Sequence, residues 1–177
     1  MRLTDVELGG YGSFLKEPAA FEIHRFHLPQ AWDYVYVHDG CLLRVKHTGS
    51  GYLQVDPPGG PALFRPERGE PTPMMFVWVI PEEAKPVRAF TNFWQPTVPT
   101  LPPGTEPDEY RCRFSPEAAR YHVRCADWVL QTELCIPPDA AALVMTVRLT
   151  NVGRSRRRCT VMPVLRPHLA PFSLAPW

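Results

Sequence analysis

The sequence predicts an all-β protein, a large antiparallel β-sandwich. Three observations predict it. Short runs of alternating apolar and polar residues recur along the 177 residues, and no full window has a helical period. Glycine- and proline-containing turn signals separate these runs. Proline, at 22 residues, is more than twice its usual share of about 5%, yet 45% hydrophobic and 11% aromatic content supplies a core. Many short strands joined by rigid loops satisfy all three.

Residues 1–20 are poorly patterned, with Gly9, Gly10 and Gly12 breaking any periodicity, and are expected to be irregular. The sandwich is expected over 21–177. Phe21 to His27 alternates imperfectly. Tyr34 to Val37 is aromatic and β-branched, and the Asp39-Gly40 that follows is a strong hairpin signal. Cys41 to His47 returns, Gly49-Ser50-Gly51 turns, and Tyr52 to Val55 completes a β-meander. Met74 to Ile80 is continuously apolar between Pro73 and Pro81, which suits a strand buried on both faces. Pro96 to Pro107 is a long proline-rich connection. Tyr110 to Phe114 and Tyr121 to Cys125 alternate cleanly, and Val129 to Ile136 follows. Ala142 to Thr150 and Cys159 to Leu165 read as two strands joined at Asn151-Val152-Gly153-Arg154.

Charge is nearly balanced, 19 basic against 18 acidic residues. It offers no electrostatic footprint for nucleic acid or an anionic membrane. The basic run Arg154-Ser155-Arg156-Arg157-Arg158 reads as a solvated hairpin turn. The five cysteines are odd in number and form no CxxC pair, so zinc-ribbon and redox spacings are absent. Met1 to Gly10 lack the apolar core of a signal peptide, and no stretch approaches 18 apolar residues. A reducing cytoplasm is the expected location.

Two groups of residues could carry function. Phe93-Trp94-Gln95 places an indole beside an amide, which is what a sugar needs: a flat apolar platform and a hydroxyl partner. Trp94 could equally plug the end of the core. Alternation puts Tyr52, Gln54 and Asp56 on one strand face, either as a carbohydrate groove or as a plain solvated face. Trp32 has the same two readings as Trp94, while Trp78 and Trp128 lie in apolar runs and read as core. His24 and His27 would point to opposite faces of a strand, and the other histidines are isolated, so no metal site is expected. No carboxylate pairing of the glycosidase kind is visible, and the nucleophile-elbow, P-loop and dinucleotide signatures are absent.

Three pieces in order carry a resemblance. These are Gly49-Ser50-Gly51-Tyr52; Phe93-Trp94-Gln95-Pro96 leading to the strand at Tyr110; and Val147-Arg148-Leu149-Thr150-Asn151 followed by Cys159 to Leu165. Together, from about Phe21 to Leu165, they resemble the N-terminal β-sandwich of inverting glycoside phosphorylases. That is the cellobiose and chitobiose phosphorylase family, classed as glycosyltransferase family 36 or glycoside hydrolase family 94. The resemblance implies a supersandwich-like fold, incomplete at its C-terminus, that precedes a catalytic (α/α)6 barrel absent from these residues. It implies that the chain alone is inactive, with no catalytic residue and no cofactor, inorganic phosphate being the co-substrate of the full enzyme. The implied partners are a β-linked oligosaccharide, the helical-barrel domain and a second copy in a homodimer, with no nucleic acid and no membrane. A free-standing carbohydrate-binding module and a purely structural assembly domain are the alternatives.

Overall fold

The protein's structure, a computed structural model, describes residues 6–7, 9–38, 40–56, 62–64, 75–82, 89–93 and 107–167. In these residues the chain forms fourteen strands and no helix. They are β1 (Val6–Glu7), β2 (Gly12–Leu15), β3 (Ala20–Ile23), β4 (Asp33–His38), β5 (Cys41–Lys46), β6 (Gly51–Val55) and β7 (Ala62–Phe64), then β8 (Met75–Pro81), β9 (Phe90–Thr91), β10 (Glu109–Phe114), β11 (Ala119–Cys125), β12 (Trp128–Cys135), β13 (Val144–Asn151) and β14 (Cys159–Leu165). All pair antiparallel, in three sheets ordered β1-β2-β3-β10-β11-β12-β13, β4-β5-β6-β7 and β14-β8-β9. The all-β sandwich follows from the alternation. In β10, β11 and β12 buried side chains alternate with more exposed ones, one set turned to the core and the other outward.

The register makes that concrete. Ile23, Cys112, Tyr121 and Thr132 lie side by side across β3, β10, β11 and β12, and all four are buried. Phe114, Ala119 and Leu134 form the next inner row, and Tyr110, Val123 and Leu130 the one on the other side. Tyr36, Cys41, Leu43, Val45 and Leu53 from the four-stranded sheet join the same core, as do Phe76, Trp78 and Val79 from β8. Strand β8 is buried on both faces, as its continuous apolar run predicts, and Trp78 and Trp128 are core residues.

Two expectations are corrected. The described residues within 1–20 are not all irregular: β1 and β2 pair with each other and extend the large sheet through β3. The glycines that break the apolar pattern serve this hairpin. Gly9 and Gly10 turn with φ of 57° and 75°, and a Cβ at Gly12 would overlap the Glu22 carbonyl of the neighbouring strand. Second, β13 and β14 are not a hairpin. β13 is bonded to β12 and β14 to β8, so the exposed residues 154–158 carry the chain from one sheet to another. Pro163 lies inside β14, a strand paired on one side only among the described residues, where a missing N–H costs little.

The β5–β6 turn is locked into the core. His47, Thr48, Gly49 and Ser50 are all buried. Tyr110 Oη donates to the His47 carbonyl, and Tyr121 Oη donates to the Lys46 carbonyl at 2.7 Å. The His47 ring is held at both nitrogens: Nε2 lies 2.8 Å from the Phe26 carbonyl, and Nδ1 lies 3.2 Å from the Trp32 N–H and 3.3 Å from the Trp32 carbonyl. Burial lowers the His47 pKa from its ordinary 6.5 and outweighs the two carbonyls, which favour the charged ring. Since the folded pKa lies below the unfolded one, the neutral ring's contribution is fully present above about pH 6.5 and is lost as the pH falls through the folded value. Urea unfolding from pH 7.5 to 5 should show this loss, and it should vanish in His47→Asn. An unchanged slope in that variant would place the titration elsewhere.

Three tyrosines and a thiol meet in the interior. Cys112 sits between Tyr110 and Tyr121, and burial pushes all three pKa values well up. The Tyr36 hydroxyl is buried without a partner among the described residues. An unsatisfied buried hydroxyl costs stability, so Tyr36→Phe should be neutral or stabilising by up to about 1 kcal/mol. Tyr121→Phe should destabilise by roughly the same amount, because it removes a buried hydrogen bond to the Lys46 carbonyl, which keeps only the Gly49 N–H at 2.9 Å. Thermal unfolding of the two variants tests the pair; destabilisation by Tyr36→Phe would show a partner for that hydroxyl.

Candidate functional site

Of the sequence-derived candidates, two come together among the described residues. Tyr52 and Gln54 share the outward face of the four-stranded sheet, both half-buried, and Tyr52 Oη donates to Gln54 Oε1 at 2.9 Å. Across the ladder Arg44 stands opposite Tyr52, is bonded to Asp33, and lies opposite Val35 on its other side. Val35 and Val37 on β4 are 48% and 69% exposed. This face therefore joins a phenol, an amide and uncovered apolar surface. Asp56 does not share it as a strand residue, because β6 ends at Val55. Asp56 takes φ of 51° and its N–H donates to the Gly40 carbonyl at 2.8 Å, closing the end of the hairpin. Trp94 and Gln95 lie outside the described residues. Just before them Asn92 and Phe93 are fully buried, and Trp32 stacks on Phe21 at 4.5 Å.

A second surface has no counterpart among those candidates. The outward face of the seven-stranded sheet holds a groove of about 630 Å³. One cross-strand row in it runs Glu22, Arg113, Arg120, Glu133 and Thr146, from β3 to β13. Its charges are matched. Glu22, only 8% exposed at its side chain, accepts from Arg113 Nε at 2.9 Å and Nη2 at 2.5 Å, and His24 lies 3.2 Å from its other oxygen. Arg120 donates to Glu133 at 2.6 Å. The neighbouring row runs Arg111, His122, Gln131 and Arg148. Arg111 is paired with Glu109 at 2.9 Å, and His122 lies 3.7 Å from the same carboxylate. Arg148 has no hydrogen-bond or carboxylate partner among the described residues. Alternation marks each of these residues as outward-facing, but only the register places them in rows.

The groove's three glutamates are each paired with an arginine: Glu22 with Arg113, Glu133 with Arg120 and Glu109 with Arg111. Among the described residues no group of three or more His, Cys, Asp or Glu could hold a metal ion. None of the five cysteines forms a disulfide. Burial, with Asp108 nearby, pushes the Cys125 thiol up to about 12, which leaves it a poor nucleophile at neutral pH. No described helix is long and apolar enough to cross a membrane.

The sequence model of one protein family matches residues 29–173, most of the chain; its description is "Glycosyl hydrolase 94, supersandwich domain". No curated protein matched the chain.

Proposed function

Because the chain belongs to the glycosyl hydrolase 94 supersandwich family, we propose that it is the non-catalytic sandwich of a phosphorylase acting on β-linked glucosides or oligosaccharides in the cytoplasm. In this reading it supports substrate binding and homodimerisation beside a helical-barrel domain, which carries out phosphorolysis with inorganic phosphate. The family match over residues 29–173 is the observation that carries it. The Tyr52–Gln54 face lends it chemistry. A phenol ring covers the C–H face of a sugar, an amide meets its hydroxyls, and the bare valines on β4 offer apolar surface to a second copy.

The purified chain, incubated with β-linked gluco-oligosaccharides and phosphate, should release no sugar 1-phosphate. Measurable phosphate-dependent cleavage by this chain alone would overturn the non-catalytic reading. Titration with the same oligosaccharides should show saturable binding that weakens in Tyr52→Ala. Dimers without any sugar affinity would make it an assembly domain instead.

A further inference from the structure

We infer that the outward groove of the seven-stranded sheet is a second ligand site, distinct from the Tyr52 face, and that it takes an anionic saccharide, one bearing a phosphate or a carboxylate. Three features select this class. The Glu22 row consumes its own charges, so it forms a neutral, ordered floor. The Arg111 row carries no carboxylate: Arg111 is paired with Glu109, His122 and Gln131 add an imidazole and an amide, and at the β13 end Arg148 is an exposed guanidinium with no carboxylate partner among the described residues. A guanidinium fork matches two oxygens of a phosphate or carboxylate at once.

The groove also continues. A neighbouring cavity of about 810 Å³ shares Glu109 and Arg111 with the first and is lined by Arg25. Arg25 is exposed and lies over the Tyr11 ring, 5.8 Å from its centroid, with no carboxylate partner among the described residues. An unpaired cation therefore stands in each of the two joined cavities. Strands β10 to β13 lie about 4.8 Å apart, so the Arg111–Arg148 row is about 14 Å long, room for a short saccharide.

The same row argues against a neutral sugar. Arg111, His122, Gln131 and Arg148 include no phenyl, phenol or indole ring on which an uncharged pyranose could stack. Recognition then rests on guanidinium hydrogen bonds, which are strongest and bidentate when the acceptor is an anionic oxygen pair.

Isothermal titration of the intact chain with glucose 6-phosphate, glucuronate, glucose and inorganic phosphate tests this. Glucose 6-phosphate or glucuronate, or both, should bind, and which of them binds identifies the anionic group. Glucose should not bind measurably, and inorganic phosphate should bind more weakly than the sugar that carries it. Arg148→Gln, an exposed and unpaired position, should weaken binding roughly tenfold. Arg154→Gln, in the exposed basic run outside the groove, should leave it unchanged. The inference fails if glucose binds as well as its anionic derivatives or phosphate alone binds as well as its sugar ester. It also fails if Arg154→Gln weakens binding as much as Arg148→Gln, or if no anionic sugar binds. A gluco-oligosaccharide response lost in Tyr52→Ala but intact in Arg148→Gln would report on the Tyr52 face alone, so the two readings stand or fall separately.

Discussion

Gly49→Ala should lower the unfolding free energy by about 2–5 kcal/mol. Two costs add. Gly49 has φ of 80°, where a Cβ crowds the following carbonyl and costs roughly 1–2 kcal/mol. The same Cβ would overlap the Phe93 ring, itself fully buried and set edge-on to Tyr121 at 4.7 Å. Neither ring can retreat easily, because Tyr121 is pinned through its hydroxyl to the Lys46 carbonyl. Overpacking such a site costs about a further 1–3 kcal/mol. Gly153→Ala is the comparison: its Cβ would press on the Asp127 side chain, which is paired with Arg157, but its backbone is not left-handed and no buried ring stands against it. Urea unfolding of the two variants should separate them by at least about 1 kcal/mol. Equal midpoints would mean that the Phe93 ring does not press on this turn.

Asn92→Ala should cost about 3 kcal/mol. Asn92 is fully buried between the three-stranded and seven-stranded sheets. Its Oδ1 accepts from the Val77 N–H at 2.8 Å, and its Nδ2 donates to Thr132 Oγ1 at 3.1 Å and lies 3.7 Å from Met145 Sδ. Alanine leaves a buried N–H and a buried hydroxyl without partners and a void beside them. The orphaned groups account for most of the loss, since each carries a desolvation penalty of about 1–3 kcal/mol. Thr132→Val removes one of those groups, so the double variant Asn92→Ala/Thr132→Val should be more stable than the sum of the single losses. Strict additivity would show that the amide and the hydroxyl do not share a bond.

The second half of the chain was readable strand by strand. Tyr110 to Phe114 and Tyr121 to Cys125 sit in a sheet with one dry and one wet face, which is the arrangement that writes itself as alternation. The start was not readable: a short hairpin built around Gly9, Gly10 and Gly12 has too few side chains to show a period. The β13–β14 connection was misread because turn residues report local bending and not which sheet receives the next strand. Among the site residues, alternation put Tyr52 and Gln54 on one face, where they are bonded to each other. It could not see that the chain takes left-handed backbone at Asp56 and leaves the ladder. Gly49-Ser50-Gly51 carries a packing requirement, since the turn is buried under Phe93. The arginine rows were present as letters at every second position. Their alignment depends on pairings between segments as far apart as Glu22 and Arg113, which no local pattern encodes.

The pairing of β8 with β14 sets an order of events during synthesis. Residues 75–81 must wait for residues 159–165 before one flank of their sheet is bonded, and at roughly 5–20 residues per second that wait lasts several seconds on the ribosome. Meanwhile the meander of β4 to β6, whose pairings are all local, can close at once. The nascent protein thus passes through a stage in which its most apolar strand is made but half-bonded. A chain stalled before Cys159 should be cut by protease near Phe76, and full protection there at that stage would show that β8 has found another cover. The separation of β8 and β14 along the chain thus sets how long this apolar strand stays half-bonded during synthesis.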